Sequence, residues 1–127
     1  MIMDVEKQIA YWSEGAISDL EAAEALIRNG KLLQGLFFCH LVIEKALKAL
    51  VSKVRKEVPP KTHNLNYLSV RAEIEIPPDI RNFFGILTRF QLEGRYPEYK
   101  PQIPSLKECS RHLTKTKETL EWLIKKL

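Results

Sequence analysis

Three clusters of side chains in this sequence have the types and spacing to do chemistry. His40, Glu44 and Lys48 stand four residues apart, with Lys45 beside them, so on a helix they share one face, a turn apart. Two readings are open. As i,i+4 pairs they stabilise a helix by about 0.2–0.5 kcal/mol each and face solvent or another subunit. As an anion site, Lys45 and Lys48 meet phosphate while Glu44 and His40 orient them or hydrogen-bond a base. His40 and Glu44 make only two metal ligands and no neighbouring His or Cys completes a set, so no metal is expected.

The second cluster, Pro59-Pro60-Lys61-Thr62-His63-Asn64-Leu65, is a turn leading into a helix start that Thr62 or Asn64 can cap. His63 reads as a structural histidine packed over that first turn or over the preceding helix, since no Ser or Cys nucleophile with a recognisable elbow accompanies it. The third cluster is Arg81, Arg89, Arg95, Tyr96, Tyr99 and Lys100. Its guanidinium groups can grip phosphate and its rings can stack on bases, which suits RNA or a nucleotide. The same composition suits a protein interface.

The elements that must carry these clusters are helices. From Asp4 to Arg28 the apolar residues Val5, Ile9, Trp12, Ala16, Leu20, Ala23 and Ile27 recur every three or four positions, one helical stripe. Asp4 can cap its start, Asn29-Gly30 supplies a left-handed stop, and Gly15 within it suggests a close helix contact. Residues 31–57 form a second helix, apolar around most of its circumference and hence the central one, ended by Val58-Pro59-Pro60. A short third helix spans about Asn64–Glu73. A fourth runs from Asp79 to about Glu93, after Pro77-Pro78 and before Gly94, with Ile80, Phe83, Phe84, Leu87 and Phe90 along one side. Arg95–Pro104, with three prolines, reads as a surface loop. Ser105 to Glu108 matches a capping box that opens the last helix, whose stripe begins at Leu106 and Cys109.

The 127 residues suit one domain, and 45% hydrophobic with 28% charged residues excludes disordered and low-complexity classes. The net charge of +4 hides a split: residues 1–30 carry six acids against two bases, and the remainder eighteen bases against ten acids. Such a split suits an anionic partner, or is neutralised within the fold. Two distant cysteines, Cys39 and Cys109, predict neither a disulfide scaffold nor a zinc site. No secretory leader, apolar span, repeat or glycine-rich phosphate loop is evident, so a reducing cytoplasm is the expected setting.

Trp12 with Ala16, Asp19-Leu20 and Ala23, then Gly30, the run Phe38 to Ala49, Pro59 to Leu65, and Arg95-Tyr96-Pro97 occur in an order and spacing that resembles the HEPN (higher eukaryotes and prokaryotes nucleotide-binding) family along essentially the whole chain. The resemblance implies a bundle of four long helices plus a short one, commonly a homodimer. It also implies a minimal nucleotidyltransferase as partner, in a toxin–antitoxin or nucleotide-handling pair. Many members are metal-independent ribonucleases marked by Arg, four to six residues, then His. Here Arg89 is followed after five residues by Arg95, which stays protonated and cannot accept a proton from a ribose hydroxyl.

The expectation is thus a single domain over residues 1–127, all-α, an antiparallel up-and-down helical bundle without cofactor or metal. Lys45, Lys48, Arg89, Arg95, Tyr96 and Tyr99 would bind nucleotide or RNA, with polar support from His40, Glu44 and His63. The alternatives are a degenerate ribonuclease using His40 or His63, and a helical dimerisation scaffold that binds no ligand.

Overall fold

Side-chain caps and prolines mark where each helix begins. In the computed structural model, which describes residues 4–96 and 102–127 and leaves out the side chains of 93–95, five helices follow in order: α1 Val5–Arg28, α2 Leu32–Arg55, α3 Leu65–Arg71, α4 Pro78–Arg95 and α5 Leu106–Ile124. Asp4, Asn64 and Ser105 accept hydrogen bonds from the backbone of Lys7, Tyr67 and Glu108 at 3.0–3.1 Å, satisfying amides that a helix start leaves unpaired. Pro78 takes the first position of α4, where a missing N–H costs nothing. Gly30, at φ +79°, makes the left-handed turn between α1 and α2.

The fold is an all-α bundle, with no strand among the described residues. α2 is central, packing against all four other helices. Its Leu36, Cys39, Val42, Ile43, Leu47 and Val51 are fully buried, because an apolar surface this wide must be covered from several sides. Phe83, Phe84, Leu87 and Phe90 of α4 and Cys109, Leu120 and Leu123 of α5 close the core. Leu106, expected in the α5 stripe, is 58% exposed.

Three helix ends differ from the sequence reading, the first being α3, which closes at Arg71 and not Glu73. α2 ends at Arg55, before the prolines, because Lys56 adopts a left-handed conformation at φ 53° and stops the ladder. α4 continues through Gly94, its last turn closed by Tyr96 N–H donating to Leu92 C=O at 3.0 Å. Half of the predicted loop, residues 97–101, lies outside the described residues. No described helix is long and apolar enough to cross a membrane.

Candidate functional site

The polar stripe of α2 faces inward. His40, Glu44 and Lys48 are 0, 3 and 7% exposed, and Glu44 is the hub. Its Oε2 accepts from Lys48 Nζ at 3.1 Å, its Oε1 lies 2.8 Å from His63 Nδ1, and His40 Nδ1 stands 3.6 Å from the same Oε1. A carboxylate only accepts, so His63 donates through Nδ1, and in the neutral ring Nε2 is left as an acceptor. Lys48 Nζ also sits 5.0 Å from the centroid of the Trp12 ring on α1, a cation–π contact that helps hold a desolvated ammonium. Of the two readings of the stripe, i,i+4 pairing describes Glu44 and Lys48, but the pair is buried among neighbours and not solvated.

Lys45 leaves α2 toward α1. Its Nζ pairs with Asp19 at 2.7 Å, and its stem passes over Gly15, where a Cβ would stand 3.2 Å from Lys45 Cδ. The close contact expected at Gly15 is therefore with this lysine. An acid of the N-terminal segment is neutralised within the fold here.

Two clefts open on different sides of α4. The first, about 390 Å³, lies between the start of α3 and the end of α4, with His63, Asn66, Thr88, Gln91 and Tyr96 on its walls. His63 and Tyr96, chosen from separate clusters of the sequence, meet here. Arg81 donates to Asn66 Oδ1 at 3.2 Å at its edge. The second cleft, about 410 Å³, is lined by Arg89, Phe90, Ser105, Glu108 and His112 among others. Arg89 stacks near Phe90, 5.7 Å from the ring centroid. The His112 ring lies 6.1 and 6.2 Å from those of Phe83 and Phe90; desolvation holds its pKa below 6.5, with Arg111 adding to the effect and Glu108 opposing it.

The Arg–Tyr cluster suggested by spacing is thus divided. Tyr96 stands past the helix end in an extended conformation, φ −118° and ψ 109°, and lines the side of Thr88, Gln91 and Leu92, whereas Arg89 lines the other cleft. Arg95 is the last residue of α4; its side chain, Tyr99 and Lys100 lie outside the described residues. The sequence reading missed Gln91, Asn66, Thr88 and His112. A signal existed for the α4 pair: Thr88 and Gln91 are three apart, on a face offset from the Phe83–Leu87–Phe90 stripe. Among the described residues no group of three or more His, Cys, Asp or Glu is placed to hold a metal ion.

The model of the HEPN domain family matches residues 9–127. No curated protein matches the sequence. Among solved structures, the crystal structure of TT1696 from Thermus thermophilus is similar, with a TM-score of 0.80 and 21% identity over 94% of this chain and 98% of that one. At that identity the likeness shows the fold.

Proposed function

Because the chain belongs to the HEPN domain family, we propose that it is a nucleotide- or RNA-binding protein acting with a nucleotidyltransferase-domain partner, in a toxin–antitoxin or nucleotide-handling pair. The observation that carries this reading is the α3–α4 cleft, where an anchored imidazole, an aromatic ring and side-chain amides surround a space of about 390 Å³, within the usual size of small-ligand sites. Tyr96 contacts base or sugar there. Arg95 at the end of α4 and Tyr99 meet the ligand's phosphates, and Arg89, lining the cleft on the other side of α4, meets flanking nucleotides of a longer RNA. Lys45 and Lys48, holding the carboxylates of Asp19 and Glu44 at 2.7 and 3.1 Å, support the site by fixing α2 and Glu44 and do not meet the phosphates directly. His40 and Glu44 set the position of His63. The chain acts as a homodimer, a reading supported by the half-buried Leu33, Phe37 and Phe38 around an apolar cleft of about 240 Å³ at the start of α2.

Titration of purified protein with ATP and short RNAs at two salt concentrations tests the reading. Saturable binding that weakens with salt and is lost in the Arg89→Ala/Arg95→Ala/Tyr96→Ala variant is expected. No saturation at either salt, or binding indifferent to those substitutions, overturns it. Light scattering of the protein alone and co-expressed with the adjacent reading frame checks dimer and partner.

A second reading, ribonuclease activity, is favoured by the 2.8 Å contact of Glu44 with His63. A carboxylate behind Nδ1 orients the ring so that Nε2 can take the proton of a ribose 2′-hydroxyl as it attacks the adjacent phosphorus and expels the 5′-oxygen. His40, at 0% exposure, is too deep for this role. Cleavage of labelled RNA in metal-free buffer, lost in His63→Ala, would establish it; intact RNA would dismiss it.

A further inference from the structure

We propose that the α3–α4 cleft is a nucleobase pocket in which the buried Gln91 amide reads the base edge, and that the base it fits is adenine; this rests on the nucleotide-binding reading above. Gln91 is 4% exposed and lines the cleft, yet among the described residues nothing hydrogen-bonds its side-chain amide. The amide atoms are not among the fully enclosed ones, so the little exposure the residue keeps lets the amide meet water in the cleft, which a ligand can displace. Such an amide on a rigid wall, one turn from the fully buried Leu87, is placed for something that enters the cleft.

The lining says what kind of group enters. The described lining offers side-chain amides, a hydroxyl, an imidazole and an aromatic ring, which suits a flat heterocycle with several hydrogen-bonding atoms. The polar groups have capacity to spare. Asn66 Oδ1 accepts from Arg81 at 3.2 Å, leaving its NH₂ to donate. Thr88 gives its hydroxyl proton to Phe84 C=O at 2.8 Å, leaving its oxygen to accept. His63, with Nδ1 turned to Glu44, presents Nε2 as an acceptor in the neutral ring. Tyr96, 44% exposed at the wall, offers a ring for stacking.

A Gln amide pairs an adjacent acceptor and donor, the complement of adenine N6–H and N7. Guanine sets two acceptors, O6 and N7, side by side on that edge and would place one against the amide carbonyl. Pyrimidines have one ring and less area to stack on Tyr96. Phosphate contacts position a nucleic acid while base contacts discriminate, so the arginines outside this cleft set overall affinity and Gln91 sets preference.

The test is calorimetric titration of the full-length chain with the 5′-monophosphates of adenosine, guanosine, cytidine and uridine, with the Gln91 side-chain NH₂ resonances followed by NMR. Adenosine monophosphate should bind about tenfold more tightly than the others and shift those resonances. In Gln91→Leu the preference should vanish while the thermal midpoint holds, since the substitution breaks no hydrogen bond within the described fold. Four equal affinities, or a preference that survives in Gln91→Leu, overturns the inference. A lowered midpoint with the preference intact assigns the amide to the core and overturns it too. If the four mononucleotides and RNA all bind alike and with salt sensitivity, base reading alone fails. If neither mononucleotides nor RNA bind, the nucleotide-binding reading itself fails.

Discussion

His63, just before α3, holds its Nδ1 2.8 Å from Oε1 of Glu44 in the middle of α2, and Glu44 in turn pairs with Lys48 at 3.1 Å. One buried carboxylate therefore both neutralises a desolvated ammonium and pins the loop that forms a wall of the α3–α4 cleft. Removing it leaves Lys48, 7% exposed, without its counter-ion. Glu44→Ala is expected to lose about 3–5 kcal/mol in urea unfolding, whereas Glu44→Leu with Lys48→Met, which removes both charges, should recover most of that loss. An equal loss in the double variant would show that the hub contributes through more than its charge pair.

Packing between α1 and α2 depends on a missing side chain. A Cβ on Gly35 would run into the Ile27 side chain and come within 3.3 Å of the Ala23 carbonyl oxygen. Gly35→Ala should therefore destabilise by about 1–3 kcal/mol through overpacking. Gly85 provides the contrast: it lies on the exposed side of α4 with nothing within 4 Å of a Cβ. Gly85→Ala should gain about 0.5–1 kcal/mol from helix propensity alone. Thermal unfolding of the two variants side by side checks the opposite signs.

These contrasts also mark what the sequence can reveal. Local chemistry was legible: Asp4, Asn64 and Ser105 each cap the helix their type and position suggest, and α2 is central because its apolar surface is too wide to cover from one side. The stripe His40–Glu44–Lys48 was visible as spacing. The sequence places His63 over the start of α3 or over α2, and it reaches α2; that Glu44 is its contact was not readable, because the two are nineteen residues apart and meet only through the turn after α2. Arg89 and Tyr96 group by type, as guanidinium groups and aromatic rings near the end of α4. They line separate clefts because α4 ends at Arg95 and Tyr96 takes an extended conformation. Gln91 gave only the weak signal of its spacing from Thr88, since a glutamine in an amphipathic helix is ordinarily a solvated one.

Acid sensitivity should trace in part to His112. Burial against Phe83 and Phe90 holds its pKa below the ordinary 6.5, so the folded protein resists a proton that the unfolded chain accepts. Stability is unaffected by this group well above pH 6.5, declines as pH falls through 6.5, and stops declining below the folded pKa. The thermal midpoint should drop between pH 7.5 and 5.5, and drop less in His112→Phe. Identical pH profiles for the two proteins would rule out His112 as the source.

Thiol reactivity should report global unfolding. Cys39 and Cys109 are both fully buried and free. The Cys39 pKa is pushed up to about 11, first by desolvation, with the neighbouring Cys109 raising it further and a hydrogen bond with Thr116 opposing; burial raises Cys109 as well. The thiolate is the reactive form, so at pH 8 neither group can react without both exposure and a return toward its ordinary pKa, and in the core of a bundle these arrive together. An aromatic disulfide reagent should therefore leave the native protein unmodified over many minutes and modify both cysteines promptly in denaturant. At intermediate urea the rate should follow the unfolded fraction measured by circular dichroism. Fast labelling of either thiol in the native protein would show that the α2–α5 contact opens locally, independent of global unfolding.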